Sequence, residues 1–229
     1  MLVTLCKEHP GSAQQEHILL YPQAAPGREF LESYIHHRYQ QFYGAQLSVF
    51  APFLFACWQG RYLRAVLGLQ PAASGPLLIE TYLQKPIEEI TSTLTGTVVQ
   101  RDQIIEIGNL AGNNGGSQLL FILLTELLYQ AGYTWVSFTA TAQVSSLLRR
   151  LGFSPVKLGN ADPAKLGTAA NKWGTYYEGK PAVLLGDIVD ARRILQQNEF
   201  TSKVLATHQA MIDRAVSELK RGVERGVER

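Results

Sequence analysis

The spacing of apolar residues changes several times along the chain, and each change predicts an element. Residues 17–21, HILLY, read as a strand that the stretch from Pro22 to Gly27 ends. From Arg28 to Tyr43, the residues Phe30, Leu31, Tyr34, Ile35 and Phe42 recur at helical spacing and Gly44 stands where a C-terminal cap belongs, so this segment predicts an amphipathic helix. Residues 49–70 read as two apolar strands turning at Gln59-Gly60, with Pro52 confining the first to an edge or a bulge. Residues 77–83, LLIETYL, continue as a strand-like run. Pro86 then falls in the first turn of a helix that carries Glu88 and Glu89 near its positive end.

Residues 104–153 are the unit around which the rest is arranged. Ile104, Ile105 and Ile107 are apolar on both sides of the chain, as in an inner strand of a covered sheet, with Glu106 the exceptional carboxylate among them. A Gly/Asn-rich loop follows, then a helix over 117–130 that is apolar nearly all round and therefore buried, ending at Gly132. Residues 134–139 alternate as a strand, and 142–150 form a short helix closed by Gly152. This strand–helix–strand order puts the glycines at a strand's C-terminal end, where open α/β sheets hold their ligands. Residues 153–158 return as a strand, 159–172 are polar and rich in small residues, and AVLLGDI is the last apolar strand. Beyond Asp190 the chain reads as helical. Leu205, His208, Ile212, Ala215 and Leu219 form a stripe for packing on the domain or on a second copy, and GVERGVER reads as a frayed tail.

Composition narrows the classes. With 229 residues and 46% hydrophobic content the chain buries a full core, which excludes a disordered or fibrous protein. Its 21 basic and 19 acidic residues leave a charge of +2, too balanced for a nucleic-acid or membrane-surface protein. Cys6 and Cys57 make no disulfide framework, and Cys57 lies in an apolar run where a reduced, buried thiol is expected. The first residues have no basic start followed by a long apolar stretch, and no apolar segment reaches spanning length, so the expected location is the cytoplasm. No Cys/His/Asp cluster has zinc spacing, and the adjacent His36 and His37 face different ways on a helix. No metal is expected. Neither a Gly-x-Ser-x-Gly elbow nor a P-loop is present, which removes hydrolase and kinase readings.

Two resemblances enter on particular residues. The 104–153 unit and the hairpin at Gln59-Gly60 look like the GNAT acyltransferase superfamily: strand, phosphate loop, buried helix, strand, and a short helix before Leu-Gly-Phe. More specifically, four segments resemble the bacterial thermostable haemolysin family. They are Glu80–Leu83 with Lys85–Glu89, then Glu106–Gly112, then Phe138–Thr141, and Ala161–Pro163 followed by Trp173–Tyr177. The resemblance implies an α/β (α+β) fold, a GNAT-like mixed and mostly antiparallel sheet flanked by helices. Residues 1–190 would form the acyltransferase domain and 191–229 a C-terminal amphipathic helix and charged tail.

The superfamily resemblance implies that the loop after the central strand binds the donor's pyrophosphate through backbone N–H groups and the helix dipole. Here that loop is Asn109, Leu110, Ala111, Gly112, Asn113, Asn114, Gly115, Gly116 and Ser117. The superfamily's Gln/Arg-x-x-Gly-x-Gly/Ala spacing is absent, which leaves an acyl-carrier protein as donor beside coenzyme A. Glu106 is the candidate general base, since burial raises a carboxylate's pKa toward neutrality; the alternative is a carboxylate that organises the core. Asn109 holds a substrate carbonyl or caps the strand. Thr139 and Thr141 fall where acceptor and thioester would meet, as donors to a carbonyl or as ordinary strand residues. The Tyr that GNAT enzymes place before Leu-Gly-Phe is missing. Tyr176 and Tyr177, with Trp173, either supply the acid or roof the pocket. Glu80 and Glu88 bind an acceptor amine or are helix-start carboxylates.

The expected activity is therefore acyl transfer from a pantetheine thioester to an amine or other small acceptor, without metal. A homodimer through the C-terminal helix is a further expectation. The alternative, implied by the family's name, is a membrane-active cytolysin or another non-enzymatic interaction protein, which needs a large exposed apolar surface.

Overall fold

The computed structural model describes residues 16–112 and 116–227. Seven strands form one sheet in the order β1-β2-β3-β4-β5-β7-β6. They are β1 (Glu16–Pro22), β2 (Phe53–Gln59), β3 (Tyr62–Pro71), β4 (Ile104–Gly112), β5 (Trp135–Ala140), β6 (Val156–Asn160) and β7 (Ala182–Asp187). Every pairing is antiparallel except β4 with β5. The parallel pair has the buried helix α4 (Gly116–Ala131) as its crossover.

Alternation along the strands sorts the side chains onto two faces. Phe53, Phe55 and Cys57 of β2, Leu67 and Leu69 of β3, Ile105 and Ile107 of β4, and Phe138 of β5 pack against α4, α6 (Ile188–Gln197) and α7 (Glu199–Val227). Leu54, Ala56, Val66 and Ala111 point the other way, onto Leu31, Ile35 and Tyr39 of α1 (Arg28–Tyr43). Ile104, Val183 and Leu185 join that second face under α2 (Leu78–Leu83) and α3 (Ile87–Thr95). Glu106 and Ser137, paired in register between β4 and β5, therefore face the α1–α2 side, as does Thr139. The stripe at Leu205, His208, Ile212, Ala215 and Leu219 is buried within the chain, against α4 and β1. Cys57 is free and buried, and burial pushes its thiol up to about 12. Cys6 lies outside the described residues.

Three expectations change. The run 77–83 is helix α2, not a strand: Ile79 and Tyr82, three apart, are its buried pair, and the Leu77 and Leu78 amides go to the carboxylates of Glu80 and Glu106 instead of a ladder. β2 is no edge strand, because Pro52 stands just before it and the interior strand keeps all its donors; the irregularity falls at Cys57/Trp58. The tail stays helical to Val227, with α7 restarted after α6 by Asn198, whose Oδ1 accepts from the Phe200 and Thr201 amides at 3.0 and 3.2 Å.

Candidate active site

The site is a gap between two parallel strands. β4 and β5 pair only from Ile104/Trp135 to Ile107/Phe138. Past that point β4 follows β3 to Gly112 while β5 follows β7 to Ala140, so the sheet opens. A bulge in β4 assists the separation: Val66 pairs with Ala111 but Gly68 with Gly108, which leaves one extra residue in β4, and Asn109 takes a left-handed φ of 51° there. A cleft of about 1230 Å³ fills the opening. That exceeds the ~300–1,000 Å³ usual for one small ligand.

Glu106 lies at the inner end of this cleft and is only 6% exposed. Burial raises its pKa to about 7, with the charge of Glu80 adding to the rise and the Leu78 and Ile79 amides opposing it. The Leu78 N–H donates to Oε2 at 2.8 Å. No cation pairs with it among the described residues. Beside it on the same face, the hydroxyls of Ser137 and Thr139 are buried without hydrogen-bond partners, and Thr139 borders the cleft. Thr141 also borders it, but its Oγ1 is committed as the N-cap of α5 (Ala142–Arg150), accepting from the Val144 amide.

Aromatic side chains make one wall. Tyr39, Tyr43, Trp173 and Tyr176 border the cleft and pack in ring contact, Tyr176 lying 5.2 Å from both Tyr43 and Trp173. Burial holds the Tyr176 phenol well above its ordinary pKa, with neighbouring tyrosines adding to the effect. Tyr177 points behind this wall, where its hydroxyl meets that of Tyr82 at 2.6 Å.

The loop residues divide. Asn109 is a strut: its Oδ1 accepts from the Ala51 amide at 3.0 Å and its Nδ2 reaches Val49 O, tying the 45–52 segment over the cleft. Arg28 holds the same segment through the carbonyls of Ala51 and Pro52. Leu110, Ala111, Gly112 and Ser117 border the cleft. Gly116 is required by packing, since a Cβ there would fall 2.6 Å from Arg64 O. Asn113, Asn114 and Gly115 lie outside the described residues.

Glu80 and Glu88 do not reach the cleft, which departs from the expected amine site. Arg101 takes both, at 2.6 and 2.7 Å, and Glu80 also accepts from the Leu77 and Ile87 amides at 2.9 and 3.0 Å. Although burial pushes the Glu80 carboxyl up, Arg101 and the two amides hold it below the ordinary range. Sequence reading missed Ser137, which the alternation of β5 could have placed on the face of Thr139. Arg38, for which the sequence carries no signal, also borders the cleft, from α1.

A second, apolar cavity of about 70 Å³ lies on the α4 side among α4, α5, β5 and α6. Ile107, Phe121 and Phe138 border both it and the cleft. Among the described residues no group of His, Cys, Asp and Glu is placed to hold a metal, and no helix is long and apolar enough to cross a membrane.

Comparison with solved structures supports the architecture. LasI, described as an AHL synthase, aligns with a TM-score of 0.51 at 11% identity, covering 76% of this chain and 91% of LasI. FeeM, an N-acyl amino acid synthase from uncultured soil microbes, aligns at 0.55 with 11% identity over 80% of this chain and 96% of its own. BjaI, a CoA-dependent acyl-homoserine lactone synthase solved with SAM and isopentyl-CoA, aligns at 0.52 with 15% identity over 80% and 87%. At such identities the likeness concerns the fold, which is the expected GNAT-like one, a mixed and mostly antiparallel sheet flanked by helices. No curated protein matches the sequence. The family model described as thermostable hemolysin matches residues 21–192, most of the chain, and the protein belongs to that family.

Proposed function

We propose that this chain is an acyltransferase that moves an acyl group from a pantetheine thioester, on coenzyme A or an acyl-carrier protein, to an amine or other small acceptor. The observation that carries the reading is Glu106: a buried carboxylate with no cation beside it, titrating near neutrality, at the point where β4 and β5 part. Buried carboxylates with raised pKa and open access are the pattern of a general base. The solved relatives of this fold named above are synthases of acylated small molecules, which agrees with the reading by analogy.

In this scheme the acceptor nitrogen attacks the thioester carbonyl carbon and its proton passes to Glu106. The oxyanion takes hydrogen bonds from the Thr139 hydroxyl and from the backbone freed by the β4 bulge. Collapse breaks the C–S bond, and the Tyr176 phenol, kept protonated by burial, hydrogen-bonds the leaving thiolate, which takes its proton from solvent as Glu106 releases its own. Trp173 walls the acceptor side. An acyl tail passes Ile107, Phe121 and Phe138 into the apolar cavity behind, so chains longer than acetyl are favoured.

Thermal unfolding with coenzyme A, acetyl-coenzyme A and a long-chain acyl-coenzyme A tests the donor. A ligand at about 100 times its Kd adds roughly 2.7 kcal/mol and raises the midpoint by a few degrees. A shift that grows with chain length is expected. No shift with any of them, together with no turnover of an acyl-carrier thioester, overturns the reading. Red-cell lysis by purified protein with no acyl donor present would instead establish the activity in the family's name as direct.

A further inference from the structure

Arg38 stands on α1 at the opposite end of β4 from Glu106. Its Nη2 donates to the Gly112 carbonyl at 3.0 Å, Nη1 reaches Gln41 Oε1 at 3.3 Å, and the guanidinium lies 4.6 Å from the centre of the Phe42 ring. All these partners are neutral. Arg28, Arg101 and Arg192 each hold a carboxylate, whereas Arg38 has none among the described residues. Its Nε is buried with no hydrogen-bond partner. Arg38 borders the cleft with its charge uncompensated, so an anion held there gains a charge-assisted hydrogen bond from the guanidinium.

We infer that Arg38 binds the phosphate of the donor's phosphopantetheine arm. The inference rests on the acyltransferase reading and adds to it a residue from α1, outside the glycine loop. Length agrees. Glu106 and Gly112 are separated by six steps of strand, roughly 20 Å at about 3.3 Å per residue. From sulfur to phosphorus the arm has roughly 13 bonds, and at about 1.2 Å of extended reach each it covers about 16 Å. A thioester held beside Glu106 and Thr139 therefore carries its phosphate toward the Gly112 carbonyl, where Arg38 is docked.

Charge agrees as well. The described lining of the cleft contains Arg38, Arg150 and Lys172, and Glu106 at the inner end is its one carboxylate. Gly112 and Phe42 fix the guanidinium plane, so little freedom remains to be lost when a phosphate oxygen takes the remaining Nη hydrogens. The same phosphate is present in coenzyme A and in a carrier protein's prosthetic arm.

A cycle pairing the side chain with the phosphate tests this, using the full chain. Binding of pantetheine, 4′-phosphopantetheine and coenzyme A is measured by calorimetry at one ionic strength for wild type, Arg38→Met and Arg38→Lys. Wild type should prefer 4′-phosphopantetheine to pantetheine by about 10- to 100-fold. The preference should fall by about 10-fold in Arg38→Met while pantetheine affinity stays the same, and Arg38→Lys should lie between, keeping the charge without the planar fork. Turnover with acyl-coenzyme A and with acyl-carrier protein separates the two sources: the KM of the true donor rises in Arg38→Met with kcat unchanged. A phosphate preference undiminished in Arg38→Met overturns the assignment of Arg38. Wild type that binds pantetheine without regard to phosphate overturns the phosphate site, and wild type that binds none of the three overturns the donor reading beneath it. Should Arg38→Met fail to fold, a wild-type ratio in Arg38→Gln, which keeps a polar side chain on α1, overturns the proposal equally.

Discussion

Glu80 and Glu106 take hydrogen bonds from the consecutive amides of Leu77 and Leu78, yet they end in opposite electrostatic states. Glu80 receives a second amide and the Arg101 guanidinium, and its carboxyl is held below the ordinary range. Glu106 has amides but no cation, sits deeper, and is pushed up to about 7. The comparison teaches that amide donors alone do not offset the cost of burying a carboxylate; a nearby cation decides whether the group is a fixed anion or a titrating one. Arg101 also grips the carbonyls of Ala72 and Gly75, so the paired cluster fixes the segment that brings the Leu78 amide to Glu106. One carboxylate is paired into the scaffold, and the other is buried without a counter-ion among the described residues.

Breaking the titrating side should have the largest effect. Glu106→Gln keeps the shape and the acceptor for the Leu78 amide but removes the proposed base, and it is expected to lower kcat by about 10²- to 10⁴-fold with the fold intact by circular dichroism. Full activity in this variant would return Glu106 to a structural role. Its stability sharpens the contrast further. Because the folded pKa lies above the unfolded one, wild type holds the Glu106 proton more tightly when folded. That contribution is present below about pH 4.5 and is lost as pH rises through about 7. Glu106→Gln should therefore match wild type in denaturant unfolding at pH 4 and exceed it by up to about 3 kcal/mol at pH 8.

On the paired side, Arg101→Met strands two carboxylates that are partly shielded from water. A loss of about 2 kcal/mol is expected, below the figure for a fully buried pair because the Arg101 side chain is 28% exposed. The same variant should move the acid limb of the pH–rate profile to higher pH, since Glu80 then acts on Glu106 without its counter-ion. An unmoved limb would separate the two carboxylates electrostatically. The smallest effect on stability belongs to Thr139→Val, which removes a buried hydroxyl that has no partner. Stability should hold or rise by up to about 1 kcal/mol, while turnover falls about 10-fold if the hydroxyl meets the acyl carbonyl. Unchanged turnover would leave Thr139 a strand residue and nothing more.

Much of the framework was legible in the residues. The helix over 28–43, the hairpin at Gln59-Gly60, the all-round apolar helix of 116–131 and the lone carboxylate of β4 are local signals, since period and cap residues act within a few positions. The run LLIETYL was not legible, because a short apolar stretch suits strand and helix alike, and what chose the helix was capture of its first amides by Glu80 and by the distant Glu106. Nor could Asn109 be read as a strut, because its partner Ala51 is 58 residues away. Glu80 and Glu88 stood out as acidic positions, but only the fold supplies Arg101 and so removes them from the cleft. Sequence alone determined most of the helices and strands, LLIETYL excepted, and singled out many of the polar residues that the fold had then to place. Tertiary structure decided which of them share the opening between β4 and β5 and which carry a counter-ion, because the energy of a charge depends on burial and on partners brought together across the whole chain.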